Sequence, residues 1–319
     1  MKTKWMFPLA LGLPLAALAS LEQKAPPAPP ADANKPVLVW DVAPGTRAGL
    51  PRNFRTTDDL VKAANGPGAP SVAGLARLRA SGSAEFTAEN LKTVLAKLPA
   101  PVTIFDLRQE DHGFINGEAV SWYATDNWAN VGKDAKTIAA SEKGRLGACA
   151  VGSDVAISDD RGVKGEGKAS VEHVAVQSAQ TERKLVKDAG ARYVRIPVAD
   201  HCRPTDEAVD QFIFAVRQLP ADGWAHFHCR AGKGRTTTFL ALYDMLRNAR
   251  EVSLRDILDR QALIVGEHLL QLDAASGAEA WKAGASADRA AFVRAFYDYA
   301  RANPNGKPQL WSEWLKTQP

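Results

Sequence analysis

Cysteine is scarce in this 319-residue sequence, where only Cys149, Cys202 and Cys229 occur. Three cysteines are too few for a disulfide-based scaffold, so the small cross-linked secreted domains are excluded. An odd number leaves at least one thiol that needs a chemical explanation. Cys149 and Cys202 are interpreted as small buried apolar groups, with a disulfide between them as the alternative.

A large excess of one charge sign is also missing. Forty Lys and Arg oppose 36 Asp and Glu, which leaves a net charge of only +4. Because coating of nucleic acid depends on a strong positive field, the composition predicts no nucleic-acid partner and confines any anionic ligand to a local site. With 45% hydrophobic residues, the chain can bury one good core.

The only pronounced apolar run stands at the N-terminus. "MKTKWMFPLALGLPLAALAS" combines two lysines, a proline-interrupted apolar run and the small-x-small motif ALA. The run of about 15 residues is shorter than the roughly 20 that span a bilayer. We predict a signal peptide over 1–19, a Pro/Ala-rich linker over 20–36 and one domain over 37–319. The expected location is periplasmic or secreted, without stable membrane insertion after cleavage.

The sequence does contain an alternation of helix and strand patterns. "TAENLKTVLAKLP" and "TDEAVDQFIFAVRQLP" have the pattern of capped amphipathic helices, and "VTIFDL", "YVRIPV" and "WAHFH" that of short buried strands. This alternation predicts an α/β fold built in layers. The segment from Pro36 to Thr56 lacks a helical period, and the region from about Val131 to Gln180 is rich in Gly, Ala, Ser and Lys with short β-like runs. Segments near 37–56 and 131–180 are predicted to form a small β-rich subdomain together.

The segment "HFHCRAGKGRTTT" joins a predicted strand to a predicted helix. Such a loop presents backbone N–H groups at the positive end of the helix dipole, which makes it an anion site and favours the thiolate form of Cys229. Arg235 can hold two oxygens of a phosphoryl group with its planar fork, and the Thr236 hydroxyl lies close to the sulfur. The segment therefore predicts phosphoryl transfer to Cys229, with substrate contacts from the intervening residues Arg230, Ala231, Gly232, Lys233 and Gly234.

Several motifs resemble those of one family. "HCRAGKGRTTT" is similar to the signature of cysteine-dependent phosphatases of the protein-tyrosine-phosphatase superfamily. Together with "LPRNFR", "DLRQEDHGFINGEAVSWY", "YVRIPVADHCRPTDE" and "WSEWLK", it resembles the bacterial cysteine phytases, the tyrosine-phosphatase-like inositol polyphosphate phosphatases. The resemblance implies a tyrosine-phosphatase core, a central sheet flanked by helices, with a small partial β-barrel subdomain. It also implies stepwise removal of phosphates from myo-inositol hexakisphosphate without a metal.

Departure of an alkoxide needs a proton, so a carboxylic acid on a mobile loop is expected upstream of the nucleophile. Asp200 in "ADHCRPTDE" follows a predicted strand, and the resemblance gives it the role of general acid. The resemblance also implies that His201 and Arg55 contact the substrate. An exposed, solvated charge is the simpler interpretation of Arg55.

Other polar residues near these motifs have weaker interpretations. Glu110 and His112 either orient the acid loop or the nucleophile's loop, or only satisfy their own backbone. Family members usually carry Ser where this chain has Asp111. Gln261 could orient the hydrolytic water, although a surface glutamine on a helix is the alternative.

Arg230 and Lys233 depart from the family, whose loops often carry acidic or apolar residues there. Extra cations at the rim would favour densely phosphorylated substrates, or they only aid solubility. A disulfide between Cys202 and Cys229 is a hypothesis for protecting the nucleophile. No metal or other cofactor is expected, because His226 and His228 alternate along a strand and form no ligand cluster.

The sequence thus predicts an exported phosphatase that acts on a small polyphosphorylated substrate such as phytate. One alternative is a tyrosine or dual-specificity phosphoprotein phosphatase. The other is a catalytically silent module that binds inositol phosphates, which the set Cys229, Arg235 and Asp200 disfavours because binding needs neither thiol nor acid.

Overall fold

The computed structural model describes residues 27–42, 47–168, 170–274 and 276–318. The predicted signal peptide lies outside the described residues, as does the first part of the predicted linker. In the described ranges, no helix combines the length and apolar character needed to cross a bilayer.

A five-stranded sheet lies at the centre of the larger part of the molecule. Its order is β10-β4-β11-β3-β2, with all pairs parallel except β2 with β3. The central strands are buried along their length, as expected for a sheet covered on both faces. The strands are β2 (Arg55–Thr56), β3 (Ala80–Ser83), β4 (Val102–Arg108), β10 (Arg192–Val198) and β11 (Trp224–His228).

Helices cover this sheet on both faces. On one side Leu91 and Val94 pack with Ile104 in one apolar cluster, and on the other Phe212 and Phe239 pack with the strand β11 in a larger one. Threonine and serine N-caps start several of these helices, as the sequence predicts. The helices of this part of the molecule are α1 (Thr57–Ala63), α2 (Ala88–Lys97), α5 (Glu182–Asp188), α6 (Asp206–Arg217), α7 (Gly234–Asn248), α8 (Leu254–Ala262), α9 (Trp281–Ala302) and α10 (Trp311–Leu315). Of these, α8 and α9 pack on α7, and α10 packs on α6 and α9.

A second, six-stranded mixed sheet adjoins the first. Its order is β8-β7-β1-β6-β5-β9, and β1 with β7 is the parallel pair while the other pairs are antiparallel. The strands are β1 (Val37–Trp40), β5 (His112–Ile115), β6 (Glu118–Tyr123), β7 (Asp154–Ser158), β8 (Val171–Ala175) and β9 (Ala179–Gln180), with α3 (Ala135–Ala148) and α4 (Asp160–Val163) nearby in sequence.

The composition of this sheet differs from the sequence prediction in two respects. The hairpin β5–β6 belongs to it, although only 37–56 and 131–180 were predicted to contribute. Conversely, Arg55–Thr56 pairs with β3 in the other sheet. The division of the chain into a core and a subdomain stays a prediction.

Candidate active site

Cys229 follows the carboxyl end of β11 and precedes the first turn of α7. Its side chain is buried, with the residue 3% exposed. The Gly232 N–H and the Thr236 hydroxyl both donate to Cys229 Sγ, at 3.3 Å and 3.2 Å. Two donors on one sulfur stabilise negative charge there, as a nucleophilic thiolate requires.

The curl of the loop requires glycine at position 232. Gly232 has φ +71°, and a Cβ built on it would lie 2.3 Å from the Ala84 nitrogen. Backbone strain and a steric clash therefore oppose any side chain at this position. The close approach brings the loop against the end of β3.

Arg235 is fixed by a carboxylate from outside the loop. Glu110 accepts from both terminal nitrogens of Arg235, at 2.8 Å and 3.1 Å, and the Val198 carbonyl accepts from Nη1 at 3.1 Å. Burial would lower the pKa of Arg235, but the carboxylates of Asp200 and Glu110 outweigh it and raise that pKa. Among the described residues, nothing accepts from the buried Nε. A fixed guanidinium with a free donor is suited to binding an oxyanion.

Asp200 comes within reach of this guanidinium. Its Oδ1 lies 3.2 Å from Arg235 Nη2, and its Oδ2 accepts from Asn127 Nδ2 at 2.9 Å. Trp128 Nε1 donates to the Asp200 backbone oxygen at 3.1 Å. Burial would raise the pKa of Asp200, but Arg235, followed by His201, outweighs it, so the pKa of this carboxyl lies below its usual value. The structure thus brings Asp200, Arg235 and Cys229 together.

His201, Ala231 and Lys233 lie at the rim of the site and are exposed. His201 has φ +64° and packs edge-on against Trp281, with ring centroids 5.5 Å apart. The Ala231 carbonyl accepts from Asn53 Nδ2 at 2.8 Å. Gly234 faces Glu267, whose Oε2 would lie 3.2 Å from a Cβ added there.

Two arginines predicted to contact substrate, Arg55 and Arg230, make bonds within the protein. Arg55 is 1% exposed and donates to the Gly232 carbonyl at 2.9 Å and to Thr237 Oγ1 at 3.1 Å. The expectation of an exposed, solvated Arg55 is therefore wrong. Arg230 is buried, and its guanidinium lies 2.6 Å from Asp41 Oδ1 and 2.7 Å from Asp160 Oδ1. These bonds hold the loop, and the two carboxylates neutralise the Arg230 charge that was predicted for the rim.

A network of buried charges lies beneath the loop. Glu182 bridges the two imidazoles, with Oε1 2.9 Å from His228 Nε2 and Oε2 3.1 Å from His112 Nε2. Burial would lower the pKa of His228, but the carboxylates of Glu182 and Glu85 outweigh it and raise the pKa to about 9. Two groups have donor atoms close enough to hold a cation, namely Glu85, His112, Glu182 and Asp106, Glu182, His228. In the structure these atoms bind one another and neighbouring arginines.

The side chains that bind the predicted site residues differ in how far the sequence pointed to them. Glu110 was weighed as an orienting residue, and the structure shows it bound to Arg235, while His112 contacts the Glu110 carbonyl at 2.8 Å. Asp111, at the position where family members usually carry Ser, accepts hydrogen bonds from Asn130 and Arg145. Asp41, Asp160 and Asn127 carried no signal, since each lies far in sequence from its partner.

Gln261 and the three cysteines are the remaining residues with an interpretation from the sequence. Gln261 is fully buried and donates to Asp244 Oδ2 at 2.8 Å, so its interpretation as a surface residue is wrong, and this bond holds it in the core. All three cysteines are free thiols in the structure, and both disulfides stay hypotheses. Burial and the nearby Asp200 raise the pKa of the Cys202 thiol to about 12, which makes it a poor nucleophile for disulfide exchange.

Comparison with known proteins finds a family model and a protein whose sequences are similar to this chain. The model of the PTP-like phytase family, which carries the description "Inositol hexakisphosphate", matches residues 105–247. The effector protein hopD2 of Pseudomonas syringae pv. tomato is 33% identical over 283 residues, which cover 87% of this chain and 59% of that protein.

Two solved structures share the fold. The PTP-like phytase of Bdellovibrio bacteriovorus is 38% identical with a TM-score of 0.75, covering 92% of this chain and 98% of that one. The PTP-like myo-inositol phosphatase of Mitsuokella multacida, solved with myo-inositol-(1,3,4,5)-tetrakisphosphate, is 37% identical with a TM-score of 0.78. That match covers 88% of this chain and 49% of the Mitsuokella chain, so this protein spans about half the length of that relative.

These comparisons confirm the resemblance seen in the motifs and the predicted α/β fold of the tyrosine-phosphatase type. The predicted class, a cysteine-dependent phosphomonoesterase, agrees with them. With its identity and coverage relative to the Bdellovibrio protein, this chain belongs to the family of protein-tyrosine-phosphatase-like phytases.

Proposed function

We propose that the protein hydrolyses phosphate monoesters of inositol polyphosphates, phytate among them, through a phosphocysteine intermediate. The observation that carries the proposal is the position of one guanidinium. Arg235 stands on the loop of Cys229, is held by Glu110, keeps a free Nε donor and lies 3.2 Å from Asp200. Nucleophile, oxyanion donor and acid therefore surround one small volume.

In the first step the thiolate of Cys229 attacks phosphorus in line with the ester oxygen. The S–P bond forms as the P–O bond to the inositol breaks, and protonated Asp200 gives its proton to the departing alkoxide. Arg235 and the loop amides bind the equatorial oxygens, where charge is held through the transition state. Binding of the dianion beside Arg235 displaces Asp200 from that cation and thereby favours the protonated acid.

In the second step Asp200, now a carboxylate, takes a proton from water. The oxygen of this water attacks phosphorus, the S–P bond breaks, and inorganic phosphate leaves while Cys229 regains its negative charge. The Thr236 hydroxyl, 3.2 Å from Sγ, stabilises the departing thiolate. Each proton and bond change uses side chains of this chain, so we expect turnover without added metal.

An inositol polyphosphate is favoured as substrate by two observations. The Mitsuokella relative was solved with an inositol tetrakisphosphate, and the exposed Lys233 and His201 stand at the rim, where they can meet phosphates other than the one transferred. The proposed location, periplasmic or secreted, rests on the N-terminal sequence alone.

The test is phosphate release by the purified protein, with chelator and reductant present, from inositol hexakisphosphate and from a phosphotyrosine peptide. We expect strong preference for the inositol substrate and loss of turnover in Cys229→Ser, which keeps anion binding. Asp200→Asn should slow release from inositol phosphates far more than from an activated aryl phosphate, whose leaving group needs no proton.

The other outcomes separate the alternatives. Preference for the peptide would keep the chemistry and replace the proposed substrate by a phosphoprotein. Phosphate binding with no release from either substrate would make the protein a binding module. Near-normal turnover in Cys229→Ser would remove the nucleophile assignment.

A further inference from the structure

Asn127 is the last residue of a 3₁₀ turn, Thr125–Asn127, that faces the acid loop. It is 5% exposed and has φ +60°, while the preceding Asp126 has φ +57°. Left-handed backbone of this kind is unfavourable for most residues and is tolerated best, after glycine, by Asn and Asp. Two consecutive residues in this region point to a turn whose side chains have a specific task.

The Asn127 amide bonds to the proposed general acid at the carboxyl group itself. Nδ2 donates to Asp200 Oδ2 at 2.9 Å, whereas Oδ1 of the same amide accepts no hydrogen bond from the described residues. The bond to Asp200 is thus the contact that orients this buried amide. Because an amide N–H cannot accept a proton, Asp200 Oδ2 is kept as the unprotonated oxygen of the pair.

The other oxygen of the Asp200 carboxyl lies on the side of Arg235. Asp200 Oδ1 lies 3.2 Å from Arg235 Nη2 and accepts from the His201 N–H at 3.1 Å. When a phosphate takes the place of Asp200 on Arg235, Oδ1 loses its strongest donor while Oδ2 keeps Asn127. The proton of the general acid then resides on Oδ1, which faces the leaving group.

From this geometry we infer that Asn127 is a positioning residue that selects Asp200 Oδ1 as the proton-carrying oxygen. The inference rests on the proposed function, because it assigns Asn127 a role only if Asp200 is the acid. Asn127 acts through Asp200 and touches neither the nucleophile nor Arg235 in the contacts described.

The chemistry also requires Asn rather than its isosteric acid. An aspartate at this position would place two carboxyl groups in hydrogen-bond contact, and two such groups cannot both ionise readily. The shared proton would then lie between them, on the side of Asp200 that faces away from the substrate. Other charged or titratable groups act on Asp200 as well, namely Arg235, Glu110, His201, Asp126 and Cys202.

The test compares Asn127→Ala and Asn127→Asp by their pH profiles of kcat on inositol hexakisphosphate and on an activated aryl phosphate. Asn127→Ala should lower kcat on the inositol substrate by about tenfold, the usual effect of losing a bond to a charged group, with KM and aryl turnover within about twofold. Asn127→Asp should move the falling alkaline limb upward by at least about one pH unit, because a like charge favours the protonated acid.

The matched control is Thr125→Val in the same turn. Thr125 binds Asp32 through its hydroxyl, so this variant disturbs the turn without removing a bond to Asp200, and its profile should match that of the wild type. Asn127→Asp keeps the size of the side chain and tolerates the same backbone, which guards against simple unfolding.

Two results would overturn the inference. One is an unchanged alkaline limb in Asn127→Asp, and the other is an equal loss on both substrates in Asn127→Ala. Asp200→Asn, measured in the same assays, distinguishes failure of the general-acid assignment from failure of the role inferred for Asn127. If it changes both substrates equally, the general-acid assignment fails, and if it slows only the inositol substrate while the Asn127 variants do not, this inference alone fails.

Discussion

The two sides of the site are held in different ways. On the nucleophile side, Cys229 and Arg235 are almost fully buried, and Arg235 is bound by the charged Glu110. On the acid side, the Asp200 side chain is 24% exposed and is held by the neutral donors Asn127 and Trp128. Behind the acid loop lies a cavity of about 650 Å³, lined among others by Trp128, Ala199, Cys202 and Trp281.

The difference separates what must stay fixed from what must move. An oxyanion donor stabilises a transition state only if it does not reorganise, and buried ion pairs keep Arg235 in place. A group that gives up and regains a proton in each cycle must release its contacts with Arg235 when substrate binds, and neutral hydrogen bonds are easily remade. We therefore expect substitutions on the nucleophile side to have the larger effects.

Arg235→Lys should have the largest effect. Lysine keeps the charge but lacks the planar fork, so it cannot bind Glu110 and a phosphoryl group together. We expect kcat to fall by about a thousandfold, as when an oxyanion donor is removed, with a smaller rise in KM. Steady-state kinetics on inositol hexakisphosphate measures both constants. A decrease of kcat by less than about tenfold would contradict the proposed role of Arg235.

Glu110→Gln should mainly reduce stability. Burial would raise the pKa of Glu110, but Arg235 and Arg108 outweigh it and hold that pKa below its usual range. The carboxylate therefore stabilises the fold above its unfolded pKa of about 4.5, and this contribution is lost as the pH falls further. We expect the free energy of unfolding, measured with urea at pH 7, to fall by about 3 kcal/mol, because the buried Arg235 and Arg108 lose a carboxylate partner. The difference between variant and wild type should shrink toward low pH, whereas a difference independent of pH would point to packing instead.

His228→Gln tests the network beneath the loop. The pKa of His228 is raised to about 9, so the contribution of His228 to stability is complete below its unfolded pKa of about 6.5 and is lost as the pH rises through 9. At pH 6 the free energy of unfolding of the wild type should exceed that of the variant by about 2 kcal/mol. This difference should shrink as the pH approaches about 9.5. Denaturant titrations at three pH values measure this difference, and a constant value would show that His228 is not charged in the folded state.

Trp128→Phe should have the smallest effect. Phenylalanine keeps an aromatic ring against Trp281 and removes only the N–H that binds the Asp200 carbonyl. Loss of one neutral hydrogen bond is worth about 1 kcal/mol, so we expect about a fivefold lower kcat on inositol phosphates and unchanged aryl turnover. A loss as large as that of Arg235→Lys would mean that the acid side is as rigidly required as the nucleophile side.

The same contrast explains what could be predicted from the sequence. Cys229, Arg235 and Thr236 are neighbours along the chain, so a strand, a loop and a helix suffice to bring them together, and the family motif adds Asp200. Glu110 was weighed as an orienting residue, but its partner Arg235 could not be named from the sequence. Asp41 and Asp160 were not predictable as partners of Arg230, because they reach the loop only through tertiary packing.

One missed element did carry a local signal. Asn116 and Gly117, with φ +54° and +82°, form a two-residue turn between β5 and β6, where Ile115 pairs with Glu118. An Asn-Gly pair between alternating apolar residues is a strong hairpin pattern. The burial of Arg55 had no such signal, since an arginine in an open segment is usually solvated.

The bonds of Arg230 bear on how far this enzyme could be shortened or its parts exchanged. Asp41 follows β1 and Asp160 lies in the helix after β7, so both carboxylates arrive with the six-stranded sheet. An engineered core without that sheet would leave the Arg230 guanidinium, next to the nucleophile in sequence, without either of its counter-charges. The motif "HCRAGKGRTTT" therefore does not carry all of its own charge partners. Moving it into another protein requires either two added acidic residues in the positions of Asp41 and Asp160, or replacement of Arg230.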